Sequence, residues 1–238
     1  PVPSPAAPPP LSTPAAKLQY LGQSAFVLTS SQGTRIFMDP SDARRFVVAP
    51  VSGVDAVLVS HEHSDHNNVA LATGSPLILR GLSSTGWNTI DQQVKDIRIY
   101  TTAPFNTYHD STNGTQRGRN TIFIIEVDGL KLVHMGDLGH TLSPDVIRAI
   151  GAVDIILVPV GGGNTIGAVQ ATEVVRQLNP RIVIPMHYKT VKHEAGWNGV
   201  AVDPFLEGKR VEMTNSNVLN LSRSMLPTET TVMVMNYE

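Results

Sequence analysis

The stretch His61-Glu62-His63-Ser64-Asp65-His66 places three imidazoles and two carboxylates within six residues. It follows the apolar run of residues 54–59, which predicts a buried strand ending at Ser60. Ligands of open α/β sheets usually bind at the carboxyl ends of the strands. Because an ordinary polar loop rarely concentrates so many metal-binding side chains, the stretch predicts a metal site. We expect the rest of the chain to complete it.

The composition excludes several classes of protein. The chain has 238 residues, a hydrophobic content of 41% and a formal net charge of −2, so it can bury a core but lacks the basic patch typical of nucleic-acid binding. There are no cysteines, which rules out disulfides and thiolate metal ligands. The longest apolar runs fall far short of the roughly 20 residues of a membrane span. We therefore expect a small-molecule substrate, no nucleic acid and no membrane span.

The N-terminal segment differs from the rest. Residues 1–16 are almost entirely Pro, Ala, Ser and Thr, a composition that buries too little apolar surface to fold and predicts an extended tail or linker. Residues 17–238 are expected to form a single domain. A spacer behind a removed signal peptide or anchor would have this composition, as would an engineered end. The first alternative favours an exported or periplasmic protein over a cytoplasmic one.

Hydrophobic periodicity changes along the chain. The first half contains short strand patterns, at residues 19–20, 25–29, 35–38, 54–59, 77–80, 97–101, 121–127 and 131–134, and these indicate antiparallel hairpins. The second half alternates helix and strand: a helix from Ser143 to about 150, a strand at 154–160, a helix at 167–178 and a strand at 181–185. This pattern predicts an α+β fold with two mixed sheets packed face to face and helices outside.

Three further candidate ligands each stand where a predicted strand ends. They are His109 in a long polar loop, Asp137 after the strand at 131–134, and His187 after the strand at 181–185. Imidazoles and carboxylates without thiolate favour zinc, manganese or iron. Several histidines with a bridging aspartate are typical of two metals about 3.5–4 Å apart.

In order and spacing these residues resemble the motifs of the metallo-β-lactamase superfamily. Its HxHxDH motif and its later His, Asp and His are matched by His61, His63, Asp65, His66, His109, Asp137 and His187. Residues 117–121, 136–140, 159–162 and 185–188 resemble small bacterial metal-dependent hydrolases of the subgroup that includes ascorbate-6-phosphate lactonase. The resemblance implies the four-layer αβ/βα sandwich of the superfamily.

The resemblance also implies which residues bind each metal. One ion would be held by His61, His63 and His109, and the other by Asp65, His66 and His187. Asp137 would bridge them. The expected cofactors are two divalent ions, most simply Zn²⁺, with Mn²⁺ or Fe²⁺ as alternatives. His63 stands where the flavin-partnered di-iron members usually carry Glu, which favours hydrolysis over oxygen reduction.

A bound metal lowers the pKa of its water from about 15.7 towards about 7, so that metal-bound hydroxide is available at neutral pH. Asp65 can accept a hydrogen bond from this nucleophile and orient it. His134 and His140 are the candidate donors of a proton to the leaving group, although a structural role fits His134 equally well. Asp39 is expected to hold a ligand loop in place.

We therefore predict a metal-dependent hydrolase of a small ester, lactone or phosphoester. The alternatives are a phosphodiesterase or nuclease-type member of the same superfamily and a metal-binding protein without catalysis. Arg117 and Arg119 could bind an anionic substrate or be ordinary surface charges. The segment from Trp197 to Phe205 could form a pocket wall or an oligomer contact, so a homo-oligomer stays open.

Overall fold

The computed structural model describes residues 15–41, 49–110, 114–193 and 195–237. The strands of the first half are β1 (Ala16–Tyr20), β2 (Phe26–Thr29), β3 (Arg35–Met38), β4 (Ala56–Val59), β5 (Leu77–Arg80), β6 (Asp91–Val94), β7 (Ile97–Thr101), β8 (Thr107–Tyr108) and β9 (Arg119–Asn120). The later strands are β10 (Phe123–Val127), β11 (Leu130–His134), β12 (Ile155–Pro159), β13 (Ile182–Met186), β14 (Val211–Met213), β15 (Val218–Leu221) and β16 (Thr231–Val234). The α-helices are α1 (Pro144–Ile150), α2 (Ala168–Leu178) and α3 (Asp203–Leu206), and Val69–Leu71 and Arg223–Met225 are 3₁₀ turns.

The strands form two large mixed sheets and a small ribbon. The six-stranded sheet has the order β15-β1-β2-β3-β4-β5, and the eight-stranded sheet has the order β14-β16-β13-β12-β11-β10-β7-β6. In the eight-stranded sheet β11, β12, β13, β16 and β14 run parallel, whereas β10, β7 and β6 continue it as antiparallel hairpins. The ribbon pairs β8 with β9 inside the long polar loop.

The two sheets share one apolar core. Alternate residues of β1 to β4 and of the central strands of the larger sheet are fully buried against one another, for example Leu18, Leu58, Ile99 and Leu157. Burial of apolar surface contributes about 25 cal/mol per Å² removed from water, so this face-to-face packing stabilises the position of one sheet on the other. The sheets therefore act as a rigid base for the loops that leave them.

The helices lie on the outer face of the eight-stranded sheet. Val146, Ala171, Val174 and Phe205 from the three helices pack in one buried cluster with the outward side chains of that sheet. Helix α1 begins as predicted, because Ser143 Oγ accepts the Val146 N–H (3.3 Å) and a proline opens the first turn. The outer face of the six-stranded sheet carries the 3₁₀ turn Val69–Leu71 within the described residues.

The predicted α+β sandwich of two mixed sheets with outer helices is confirmed. The antiparallel character expected for the first half is wrong for β3, β4 and β5, which pair in parallel. Long connections link these three strands, and such connections permit a parallel crossover, whereas a short turn imposes a hairpin.

Three other differences concern segments with weak patterns. Ala16, predicted to belong to the tail, is the fully buried first residue of β1, and residues 1–14 of that tail lie outside the described residues. The polar edge strand β6 was not predicted. Beyond Tyr188, where the periodicity fades, the chain still forms α3 and the strands β14, β15 and β16.

Candidate metal centre

The seven predicted ligands come from loops at the carboxyl ends of four strands. β4 leads into the stretch His61–His66, β8 into His109, β11 into Asp137 and β13 into His187. The backbone of His187 lies at φ 50, a left-handed conformation that is uncommon for a residue other than glycine and is often found at functional sites.

The structure brings these side chains together in three overlapping groups. Within each group one potential ligand atom per residue lies within 4.8 Å of the others. The groups are His61, His63 and His109; Asp65, His66 and His187; and His61, His66 and Asp137. The first two match the two metal sites that the resemblance implied, and the third places Asp137 between them.

Asp137 is the centre of the cluster. Its Oδ2 lies 2.6 Å from His109 Nε2 and 3.3 Å from His187 Nε2, and its Oδ1 lies 3.2 Å from His66 Nε2. On the remaining side Nε2 of His61 and Nδ1 of His63 are 3.1 Å apart. Two imidazole nitrogens facing each other at this distance share a proton or a cation, because both cannot present lone pairs favourably.

The electrostatics of the cluster favour bound positive charge. Burial would by itself raise the pKa of Asp137, but His187 and His66 hold it well below its usual range. Burial would likewise lower the pKa of His66, but Asp137 and Asp65 raise it well above its usual range. Burial, with the neighbouring His66, keeps the pKa of His61 well below its usual range. A metal ion would supply the positive charge that His66 otherwise provides as an imidazolium.

Asp39 fixes the ring orientation of two of the candidate ligands. It accepts hydrogen bonds from Ser60 N–H (2.8 Å), Ser60 Oγ–H (2.6 Å) and His66 Nδ1–H (2.9 Å). Since the Ser60 hydroxyl proton is used, Ser60 Oγ accepts from His61 Nδ1–H at 3.0 Å. Both histidines therefore present an unprotonated Nε2 to a metal once His66 loses its second proton.

The donor set passes a direct test of fit for a metal. Among the described residues, His66 Nε2 and Asp137 Oδ1 are buried at the centre of the cluster and only 3.2 Å apart, yet neither makes a hydrogen bond of good geometry. Buried polar atoms are normally paired, and a site for a bound ion is one recognised reason for an exception. Neutral imidazoles and carboxylates are suitable ligands for zinc, manganese or iron.

Sequence reasoning missed Asn120 and underestimated Gly136. Asn120 Oδ1 accepts the Asp137 N–H (2.9 Å) and its Nδ2–H donates to Met135 O (2.8 Å), so this side chain holds the Asp137 loop. Gly136 is at φ 54, and a Cβ there would lie 2.3 Å from Asn120 Oδ1. In the sequence Asn120 stands at the end of the long polar loop, just before the strand predicted at 121–127, and a carboxamide there carries no metal-ligand signal.

The two predicted proton donors lie in different surroundings from the ligands. His134 is buried, with Nδ1 accepting the Gly136 N–H (2.9 Å) and Nε2–H donating to Ser24 O (3.0 Å). His140 Nε2 accepts the Tyr108 N–H (3.0 Å), and its Nδ1–H donates to Thr141 O (2.7 Å). Burial lowers the pKa of both imidazoles. Their nitrogens are thus engaged by the backbone, and the structure brings neither ring into the cavity described next.

A cavity of about 480 Å³ opens over the cluster. Besides several ligands, it is lined by Arg117, Asn164 and Trp197. Arg119 instead stacks over the Trp87 ring at 5.3 Å beside a separate cleft, so the structure separates the two candidate arginines. Of the segment proposed as a pocket wall, Trp197 lines the cavity, whereas Phe205 is part of the buried core.

Comparison with known proteins identifies the superfamily of the chain. Residues 17–187 match the family model of the beta-lactamase superfamily domain. A UPF0173 metal-dependent hydrolase of Methanosphaera stadtmanae is 31% identical over 221 residues, 82% of this chain and 91% of the relative. One of Thermococcus onnurineus is 29% identical over 209 residues, 79% of this chain and 88% of the relative. The relatives are mostly archaeal, so the likeness is not confined to the bacterial hydrolases that the motifs indicated.

Solved structures show the same fold. A Thermotoga maritima protein described as a candidate Zn-dependent hydrolase of the metallo-β-lactamase superfamily superposes with a TM-score of 0.70 at 32% identity, covering 93% of this chain and all of that chain. An isothiocyanate hydrolase from Delia radicum gut bacteria, at 17% identity and a TM-score of 0.60 over 80% of this chain and 90% of its own, shares the fold alone. The chain therefore belongs to the metallo-β-lactamase superfamily, as a metal-dependent hydrolase.

Proposed function

We propose that this hydrolase works with two divalent metal ions, most simply Zn²⁺, and cleaves a small ester, lactone or phosphoester. The observation that carries the proposal is the pair of three-residue ligand groups with Asp137 between them. His61, His63 and His109 would hold one ion, and Asp65, His66 and His187 the other. When bound, the metals would lower the pKa of water and stabilise negative charge that develops on the substrate oxygen.

Asp65 is the residue of this set best placed for proton handling. Its side chain lines the cavity, and although burial would raise its pKa, His66 keeps the pKa below its usual range, so the carboxylate is ionised at neutral pH. We propose that Asp65 accepts the proton of the attacking water and returns it to the leaving oxygen as the C–O or P–O bond breaks. His134 and His140 are not needed for this step, since the backbone occupies their nitrogens.

Arg117 points to an anionic group on the substrate. Arg117 lines the cavity beside the proposed metal ligands. The carboxylate of Glu62 also lines the cavity, but it is paired with Arg80 at 2.7 Å and so leaves Arg117 without a compensating negative charge from this residue. Two divalent ions, the carboxylates of Asp65 and Asp137, one hydroxide and Arg117 give a net positive site. This balance favours a carboxylated ester or lactone, or a phosphoester, over a neutral ester.

The test is turnover of a substrate panel by chelated protein before and after metal is restored. Neutral esters, anionic esters, lactones and phosphodiesters should respond to the same readdition of Zn²⁺. Arg117→Gln should lower kcat/KM for the anionic substrates about fivefold and leave kcat/KM for neutral esters unchanged. A fivefold effect is about the upper end of what one partly exposed charge pair contributes. Arg119→Gln is the matched control and should change neither class. Equal losses on neutral and anionic substrates would contradict the role of Arg117, and activity without metal would contradict the mechanism.

A further inference from the structure

Gln23, in the turn between β1 and β2, contacts the metal centre although it carries no metal-ligand chemistry. It is buried, and its φ of 54 is strained for a residue other than glycine. Its carbonyl accepts the His187 N–H (2.9 Å) and the Tyr20 hydroxyl (3.0 Å). Strain persists only where the surroundings hold it, so this turn is fixed against one of the proposed ligands.

The Gln23 side chain links a second proposed ligand to a distant histidine. Its Nε2–H donates to Asp65 Oδ2 at 3.0 Å, and its Oε1 lies 3.1 Å from His193 Nε2. Asp65 and His193 are far apart in sequence and belong to different loops. The His193 ring lies 4.2 Å from that of Trp197, which lines the cavity.

The direction of these hydrogen bonds follows from one backbone group. The Thr190 N–H can only donate, and it donates to His193 Nδ1 at 3.0 Å. His193 must therefore carry its proton on Nε2, and this N–H donates to Gln23 Oε1. Because the amide oxygen is used in this way, the amide NH₂ is the end that faces the Asp65 carboxylate. Every group in the sequence Thr190, His193, Gln23, Asp65 has one consistent role.

We propose that Gln23 is a positioning residue for Asp65 and that His193 sets its orientation, so that Thr190, His193, Gln23 and Asp65 form a polar relay into the metal centre. The relay holds Oδ2 of Asp65 and thereby directs the carboxylate towards the metal that it would share with His66 and His187. It also couples this ligand to the loop carrying Trp197. The inference rests on the proposed binuclear function, since Asp65 is placed there as a ligand.

A purely structural role for the same bonds predicts a different outcome. Two buried polar groups that only satisfy each other would affect the free energy of unfolding when removed, without selecting between two metal sites. A positioning role must instead weaken the site that contains Asp65 and spare the site formed by His61, His63 and His109. Outer partners of metal ligands typically change metal affinity 10–100-fold, so the selective effect is measurable.

The experiment is a Zn²⁺ titration of the full chain against a competing chelator. Gln23→Leu and His193→Phe should each weaken one of two Zn²⁺ sites about tenfold and leave the other unchanged. Phe keeps a ring against Trp197, so packing is largely retained. The double variant should be no weaker than Gln23→Leu alone, because both residues act along one path. Gln92→Leu, on the exposed edge strand β6, is the matched control and should bind both ions normally.

Two further measurements protect the interpretation. Gln23→Glu keeps the acceptor towards His193 but sets a second carboxylate against Asp65, so we expect a larger loss of Zn²⁺ affinity at the site that contains Asp65. This variant tests the proposal independently if Gln23→Leu folds poorly. Imidazole ¹⁵N NMR of the metal-free wild type should show the Nε2–H tautomer of His193. The relay would be overturned by an Nδ1–H tautomer of His193, by additive losses of Zn²⁺ affinity in the double variant, or by an equal loss of affinity at both metal sites. A wild-type chain that binds a single ion would instead overturn the binuclear function, while the tautomer would still decide the relay.

Discussion

Replacing Asp39 by Asn isolates the contribution of the group that orients the metal ligands. The change preserves shape and can keep the bond from Ser60 N–H, but it puts an NH₂ donor where Oδ2 now accepts from Ser60 Oγ–H (2.6 Å) and His66 Nδ1–H (2.9 Å). Each of these two bonds to a charged group is worth about 1.5–3 kcal/mol. We therefore expect the metal-free protein to lose about 3 kcal/mol or more of unfolding free energy.

The same change should weaken metal binding. Without the carboxylate, His66 can adopt the other tautomer, in which Nδ1 is unprotonated and the proton is on Nε2, the atom that faces the metal. His61 also loses the fixed Ser60 hydroxyl that orients its ring. The expected loss is about 10–100-fold in Zn²⁺ affinity. Competition with a chelating dye measures this loss, and urea unfolding of the metal-free protein measures the stability change.

Asp128→Asn provides a matched control for Asp39→Asn. Asp128 accepts from the N–H and the hydroxyl of Ser31 (2.7 and 2.6 Å), the same pair of donors that Ser60 offers Asp39, but it is partly exposed and lies in the turn between β10 and β11, away from the candidate ligands. We expect a stability change below about 1 kcal/mol and unchanged Zn²⁺ affinity. If Asp39→Asn lost stability but bound Zn²⁺ like the wild type, the proposed orienting role would be refuted.

Three further predictions test other parts of the site. Gly136→Ala should cost several kcal/mol of unfolding free energy and abolish metal binding, because its Cβ would lie 2.3 Å from Asn120 Oδ1 at a positive φ; a wild-type melting temperature would contradict this. His134→Phe should lower stability by about 2 kcal/mol or more, since two buried backbone groups lose their partners. Its kcat should keep the wild-type pH profile, and a lost limb of that profile would restore His134 as a proton donor. Because the pKa of His66 is raised, the metal-free protein holds the second proton of this imidazole at neutral pH. Zn²⁺ affinity should therefore rise with pH, and binding should release protons into the buffer. Calorimetry that finds neither effect would contradict the role of His66 as a metal ligand.

The candidate ligands, which the structure brings together, could be located from sequence because their signal is local. The stretch His61–His66 follows directly on an apolar strand, and Asp137 and His187 also follow strands whose apolar runs are unmistakable. A strand end fixes where the following residues emerge, so local pattern and site position agree. The boundary of helix α1 was equally accessible, since its capping residue and its opening proline act within one turn.

The residues that support the ligands could not be predicted in this way. Asn120 acts on Asp137 and Gln23 acts on Asp65 through contacts between separate loops, and neither amide differs in sequence from an ordinary turn or strand-end residue. His193 carries no signal in the sequence that links it to the site, and only the fold places it beside Gln23. Contacts of this kind depend on how the sheets pack, so they arise only in the folded chain.

The extent of the fold was underestimated for a related reason. β6 has the sequence Asp-Gln-Gln-Val and lies at a sheet edge, so its polar side chains face solvent and give no alternation. β14, at the opposite edge, has only three residues and all are exposed, although two of them are apolar. Within the described residues, no helix combines the length and apolar character needed to cross a bilayer.

The number of zinc ions bound per chain tests the central claim most directly. Native mass spectrometry of protein loaded with Zn²⁺ and freed of excess metal would count them, with His61→Ala and His187→Ala as variants of the two separate ligand groups. We predict two ions in the wild type and one in each variant. A single ion in the wild type, or two ions in both variants, would contradict a binuclear centre built from these residues.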